Sequence, residues 1–210
     1  MAGLASVLLV FVPIIAVSSL GEPPLEAETA EAAEFLRKAQ EAWVQAAWAT
    51  AAIGMLVLLV FVVGLALVLG RAEGDPPWRA TFALLCGVLV AAYGVLDASW
   101  ESGAHGADEL DDAFLGYVFR VGNLGFANVW LAMAGLAAAY AWVTLEHGPF
   151  PRWTAWCALV AAAGLVLSRY LWFVSGLWFP AYALFWVWFV AAALRMVRRP
   201  EELLRGSPDP

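Results

Sequence analysis

Apolar residues along this chain fall into six long blocks that shorter polar stretches separate. Runs of about 20 apolar residues are typical of helices that cross a bilayer. The pattern therefore predicts an all-α fold, a polytopic membrane helix bundle that forms a single domain over residues 1–210. The six predicted transmembrane helices cover residues 3–20, 45–69, 80–100, 113–144, 154–174 and 177–197.

The first block, residues 3–20, has two interpretations. Ala16-Val17-Ser18 resembles the small-residue cleavage site of a secretory leader. However, no Lys or Arg precedes the block, and the block is long for the apolar part of a signal peptide. We therefore predict a retained helix that Pro13 kinks, with a cleaved leader as the alternative.

The polar stretches between the blocks contain one further helix and several turns. Residues 24–44 follow Pro23-Pro24 and alternate acidic with basic positions, which predicts an external acidic helix that continues into the second block. This helix is either a solvated connector or a lid over the outer mouth of the bundle. Residues 101–112 are expected to form an acidic loop, Ser175-Gly176 a tight turn, and 198–210 a polar tail.

Basic residues predict the orientation, because cytoplasmic loops of membrane proteins are enriched in Lys and Arg. If the six helices alternate in direction, seven basic residues lie on one side and two, Arg37 and Lys38, on the other. Both termini are therefore predicted to be cytoplasmic. The seven are Arg71, Arg79, Arg152, Arg195, Arg198, Arg199 and Arg205. Trp residues mark both predicted interfaces: Trp43, Trp48, Trp100 and Trp178 outside, and Trp78, Trp142 and Trp153 inside.

Composition supports a membrane protein, since 63% of the residues are hydrophobic and only 14% are charged. A soluble domain has about half apolar and about a quarter charged residues. The net charge of −7 argues against nucleic acid as a partner. The preference for Arg over Lys and the abundance of Ala and Gly indicate a GC-rich bacterial genome. We therefore predict a multi-pass protein of the bacterial inner membrane, with the lipid bilayer as its surroundings.

The sequence contains no recognisable catalytic or cofactor motif. Cys86 and Cys157 lie in apolar blocks without metal-ligand spacing, and His105 and His147 lie in loops, where they could not hold a haem between helices. Nucleotide-binding and hydrolase motifs are absent as well. We therefore predict no metal, no cofactor and no catalytic residue, and we do not expect an enzyme.

Three charged residues inside the apolar blocks share one depth. On a helical rise of about 1.5 Å per residue, Asp97 lies roughly 5 Å, Arg120 roughly 10 Å and Arg169 roughly 8 Å from the outer end of its block. Charged side chains in hydrocarbon are costly and usually pair or serve a function. We expect the helices to bring these three together. The polar residues predicted in or near the same layer are Tyr93, Tyr117, Asn123, Ser168 and Tyr170, and Glu101 could join them.

The layer has two interpretations. One is a structural cluster in which Asp97 compensates Arg120 or Arg169. The other is a polar pocket open to the outside, because two arginines against one aspartate leave a positive surplus unless Glu101 joins them. A carboxylate, a phosphate or a lipid headgroup would then supply the missing negative charge.

The leading functional hypothesis is a non-enzymatic membrane protein that binds a small anionic or lipid-like ligand, or a partner subunit, through this layer. The first alternative is a small-molecule or ion transporter that uses Asp97, Arg120 and Arg169 along its pathway. The second is a membrane enzyme of an unrecognised type. The sequence alone leaves the ligand and the oligomeric state open.

The last third of the chain carries a resemblance. Its motifs are Pro151-Arg152-Trp153, Phe179-Pro180, Trp186-Val187-Trp188 and the terminal Arg198-Arg199. In these motifs and in its layout, the chain resembles a group of bacterial multi-pass proteins classed as a domain of unknown function. The resemblance implies about six helices, with an acidic external segment after the first one. It implies no catalytic residue.

Overall fold

The computed structural model describes residues 1–25, 27–174 and 176–198, and this part of the chain contains helices and their connections. The all-α prediction is confirmed for these residues. In chain order the helices are α1 Ala2–Ser18, α2 Thr29–Lys38, α3 Ala42–Glu73, α4 Trp78–Leu96, α5 Ser99–His105, α6 Asp112–His147, α7 Arg152–Tyr170 and α8 Phe179–Arg198.

Six of the helices form a ring in which each packs against its neighbours in the chain. The order around the ring is α1, α3, α4, α6, α7 and α8, and α8 closes it by packing against α1. Consecutive members run in opposite directions, so the start of α1 meets the later turns of α3 and α8: Gly3 packs against Phe61 and Ala193. Large buried aromatic side chains fill the interior, namely Phe61, Trp130, Tyr140, Phe185, Trp188 and Phe189.

Five helical segments are long and apolar enough to cross a membrane. They are α3, α4 together with α5, α6, α7 and α8. The remaining predicted span, residues 3–20, corresponds to α1. This helix has 17 residues and is about 25 Å long, shorter than the roughly 30 Å thickness of the hydrocarbon. The expected multi-pass helical membrane protein is supported by these five segments. The helix α1 continues through Pro13 over its whole length.

The observed helix bounds differ from the predicted ones at the end of α4. This helix ends at Leu96, and Asp97 follows in an extended conformation, so Asp97 lies after the helix rather than inside it. The predicted loop 101–112 contains most of α5. The reason is tertiary: Gly103 packs closely against Leu36 and Val118, a contact that the local sequence does not reveal.

The C-terminal part of the chain also differs from the prediction. The helix α7 ends at Tyr170, earlier than the predicted 174. The predicted turn at Ser175-Gly176 falls partly outside the described residues, because Ser175 is not among them. The predicted polar tail lies outside them as well, except for Arg198.

A second hydrophobic core lies at one end of the ring. We call α2, α5 and the first two turns of α6 the cap. Its core includes buried side chains from these helices and from the adjoining ends of α1 and α3: Val17, Ala32, Phe35, Leu36, Val44, Ala104, Leu115 and Phe119. The helices α3 and α6, about 48 and 54 Å long on an ideal rise, are the longest in the ring. Both contribute residues to the cap core.

Within residues 24–44, where an external acidic helix was predicted, the structure has the shorter helix α2. It ends at Lys38, and α3 begins separately at Ala42, so the predicted continuation between them is wrong. On α2, Lys38 Nζ lies 2.6 Å from Oε1 of Glu34, four residues earlier. A hydrogen bond from Lys38 and its charge lower the pKa of the Glu34 carboxyl.

Candidate functional site

Arg120 connects the ring to the cap. It lies on an exposed face of α6, and its Nη2 donates a hydrogen bond to Oγ1 of Thr29 at 3.2 Å. Thr29 is the first residue of α2. About one turn before Arg120 on α6, Gly116 also approaches Thr29. A Cβ added to Gly116 would lie 3.2 Å from the Cα of Thr29. Arg120 therefore lies at the level of the cap, where its partner is a neutral hydroxyl.

Asn123 holds the connector that leads from α1 to α2. Its side chain is buried, with 1% of its surface exposed, and its Nδ2 donates a hydrogen bond to the carbonyl oxygen of Leu25 at 3.0 Å. The carbonyl lies outside any helix, so no helical donor is available to it. Asn123 thus satisfies a backbone acceptor where the cap meets the ring.

Arg169 lies half-buried in the last turn of α7. Its Nε donates a hydrogen bond to Oδ1 of Asn128 on α6 at 2.7 Å. Asn128 follows Arg120 by eight residues, which corresponds to about 12 Å along the helix axis. The two guanidinium groups therefore reach α6 at different levels, and each contacts an uncharged partner.

Asp97 acts locally, at the junction between α4 and α5. Its Oδ1 accepts hydrogen bonds from the backbone N–H of Ser99 at 3.2 Å and from the Ser99 hydroxyl at 2.6 Å. Next to it, the hydroxyl of Tyr93 donates a hydrogen bond to the carbonyl oxygen of Gly122 at 3.2 Å. Both side chains converge on Gly125: an added Cβ there would lie 3.5 Å from Asp97 Oδ2 and 3.6 Å from the Tyr93 hydroxyl.

The structure therefore brings together Asp97 and Tyr93 but does not form the expected ion pairs. Among the described residues, no carboxylate oxygen lies within 4.0 Å of a nitrogen of Arg120 or Arg169. The expected ion pairs do not form because the blocks are not straight helices that end at one level. The helix α6 projects into the cap and carries Arg120 to that level, and α4 ends at Leu96, which leaves Asp97 outside the helix.

The two other predicted residues lie at the periphery of this region. Glu101 is half-buried in the first turn of α5. Tyr117 is 63% exposed on α6, and its ring lies 6.5 Å from that of Phe114. A ligand-binding role for these predicted residues stays a prediction.

A polar cluster at the opposite end of the ring was missed. Glu73, the last residue of α3, has a side chain that is 2% exposed. Its Oε1 accepts hydrogen bonds from the Arg79 backbone N–H at 3.0 Å and from Arg79 Nε at 2.8 Å. Its Oε2 accepts one from the backbone N–H of Ala80 at 2.9 Å. Glu73 therefore neutralises Arg79 and also satisfies two free N–H groups at the start of α4.

Arg79 makes further contacts that join α4 to α6. Its Nη1 donates to Glu146, and its Nη2 lies 3.3 Å from Nε2 of His147. The guanidinium carbon lies 5.6 Å from the ring centre of Trp78 and 5.2 Å from that of Trp142, within the range of cation–π attraction. The sequence does contain an indication of this pair. Glu73 and Arg79 flank the Pro76-Pro77 turn, and a short turn brings the residues on its two sides close together.

In comparisons with known proteins, the chain matches no protein-family model, no curated protein and no solved structure. The fold therefore defines the class by itself. Five apolar helical segments of spanning length support a multi-pass helical membrane protein.

Proposed function

We propose that the chain is a six-span protein of the bacterial inner membrane, with both termini in the cytoplasm and the cap outside. Two observations support this topology. The basic residues are concentrated at the end of the ring opposite the cap. In addition, α1 packs along α3 and α8 as a regular member of the ring, which is the arrangement expected of a sixth span. A modest shortening of the hydrocarbon would accommodate its length.

We further propose that the protein is not an enzyme and that it binds a phosphate-bearing anion at the junction of cap and ring. Arg120 and Arg169 are the cationic residues of this region; since they reach α6 about 12 Å apart, each would hold its own anionic group. The neighbouring predicted residues Asp97, Glu101, Asn123, Tyr93 and Tyr117 shape the region. The observation that carries the proposal is the uncompensated charge: within the described residues, both guanidinium groups contact only neutral side chains. Arginine favours phosphate and carboxylate because of its planar set of donors.

The other hypotheses have less support. A transport pathway through the ring would have to cross the aromatic side chains that fill its interior. A partner subunit with acidic residues could neutralise the same arginines, and it is an outcome of the test below. The resemblance to bacterial proteins of unknown function stays a prediction and adds no activity.

The proposal is tested by thermal unfolding of the purified protein, followed by the fluorescence of its 12 tryptophans. Inorganic phosphate, phosphatidylglycerol and phosphatidylcholine are added in separate arms. A ligand present at 100 times its Kd stabilises a folded protein by about 2.7 kcal/mol. Stabilisation by phosphate alone indicates a soluble anion, and stabilisation by phosphatidylglycerol but not by phosphate indicates a lipid headgroup.

The decisive variant is the double substitution Arg120→Gln and Arg169→Gln, which is expected to abolish the stabilisation. The matched control is Arg152→Gln, an exposed arginine at the opposite end of the ring. If the double variant responds to the anions as the wild type does, the anion site is wrong. If no anion stabilises the wild type, the arginines serve the structure or a protein partner instead.

A further inference from the structure

An apolar groove lies where the ring closes between α1, α3 and α8. Its volume is about 290 Å³. The groove lies next to the start of α1, far from the cap, and it belongs to neither polar cluster described above. It is lined by Met1, Ala2, Gly3, Val60, Phe61, Gly64, Ala193, Met196 and Val197.

The shape of the groove follows from small residues on α3 and α8. Gly64 leaves open space on α3, because an added Cβ there would meet only the tip of Met196, at 3.3 Å. Ala193 provides a similarly small side chain on α8. The groove is also accessible from the outside of the ring, since Val60 at its edge is 65% exposed. In a bilayer, this surface faces lipid chains rather than water.

A basic residue follows the lining residues of α8 at the end of that helix. Met196 and Val197 line the groove, and exposed Arg198 follows directly as the last residue of α8. Ala193, at the inner part of the lining, precedes Arg198 by five residues, which corresponds to about 7 Å along the axis. A molecule that fills the groove with an apolar chain would therefore place its head near a guanidinium group.

We propose that this groove binds an anionic phospholipid, with one acyl chain between α1, α3 and α8 and the phosphate beside Arg198. Under the orientation proposed above, this lipid belongs to the cytoplasmic leaflet. Basic residues near that surface are known to attract anionic headgroups. The site is distinct from the outer arginine site, so either of the two can fail without the other.

The test is native mass spectrometry of the protein after reconstitution with phosphatidylglycerol and phosphatidylcholine in equal amounts. All variants are made in the Arg120→Gln and Arg169→Gln background, which removes the proposed outer site. Val60→Trp places a large side chain in the groove. Val63→Trp is the matched control, because Val63 is 47% exposed one turn away on the same helix and does not line the groove.

We expect the background protein to retain phosphatidylglycerol, Val60→Trp to lose it several-fold, and Val63→Trp to keep it. Gly64→Leu fills the groove from its floor and is expected to act like Val60→Trp. Arg198→Gln should lower the preference for phosphatidylglycerol by about five-fold, the effect of one basic residue near a charged surface, while Arg152→Gln should not. Equal retention in the Val60→Trp and Val63→Trp proteins would overturn the groove, and an unchanged headgroup preference in Arg198→Gln would overturn the role of the charge.

Discussion

Arg79 at one end of the ring has different partners from Arg120 and Arg169 at the other end. At the end away from the cap, Arg79 lies between the carboxylates of Glu73 and Glu146 and contacts the rings of Trp78 and Trp142. At the cap end, Arg120 and Arg169 contact one hydroxyl and one amide, each of them neutral.

This difference is the observation on which the proposed anion site rests. Glu73 accepts hydrogen bonds from Arg79 and from the start of α4, so a carboxylate already faces the charge of Arg79. Arg120 holds the cap to α6, and Arg169 holds α7 to α6. Each donates one hydrogen bond for this purpose in the described structure. Their positive charge has no counterpart within 4.0 Å among the described carboxylates, and an anion would provide it.

The largest expected effect concerns the core of the cap. Phe35 is 2% exposed and packs against the rings of Trp100 and Phe119 at 5.5 and 6.0 Å. Phe35→Ala should destabilise the cap by about 3 kcal/mol, because it leaves a cavity in a small core. Hydrogen exchange should rise in α2 and α5 while α7 and α8 stay protected. Phe114→Ala, at a position 50% exposed, is the control. Uniformly increased exchange in all helices would show that the cap is not a separate cooperative unit.

The next effect concerns the polar cluster around Glu73 and Arg79. Glu73→Gln removes the charge that faces Arg79 and weakens three hydrogen bonds, which should cost about 2 kcal/mol. Chemical unfolding followed by tryptophan fluorescence measures this loss. Glu146→Gln should have a smaller effect, because the Glu146 side chain is 51% exposed and solvent screens its charge. Equal losses in the two variants would contradict the central role of Glu73.

A smaller effect is expected at the connector. Asn123→Ala leaves the Leu25 carbonyl without its donor, which should cost about 1 kcal/mol. Hydrogen exchange of residues 19–25 is the measurement, and it should become faster. Gln40→Ala, which removes an exposed hydrogen bond to Asp108, should leave these amides unchanged. An unchanged exchange rate in Asn123→Ala would mean that the connector is held by other contacts.

The periodicity of the apolar blocks was enough to predict the long helices, because hydrocarbon requires apolar side chains and internally satisfied backbones. The cap was not predictable to the same extent. Its α5 depends on Gly103 meeting Leu36 and Val118, residues from separate parts of the chain. The depth of Arg120 could not be predicted either, because the block 113–144 does not indicate how much of α6 projects into the cap.

The candidate site was predicted by residue type but not by pairing. Asp97 was expected to face an arginine, yet the nearest donors are the backbone and hydroxyl of Ser99, two residues later in the chain. Aspartate side chains at helix ends commonly bond nearby backbone and hydroxyl groups in this way. The Glu73–Arg79 pair was not predicted because both residues lie at block ends, where a charge is close to water and does not require a partner as it does inside hydrocarbon.

The most direct test concerns the claim that the two polar ends lie on opposite sides of the membrane. Single cysteines are placed at Glu109 in the cap end and at Asp75 in the turn between α3 and α4, both exposed, in a protein carrying Cys86→Ala and Cys157→Ala. A membrane-impermeant maleimide should label Glu109→Cys in intact spheroplasts and Asp75→Cys only after lysis. Labelling of both positions from one side, or the reverse pattern, would contradict the proposed orientation.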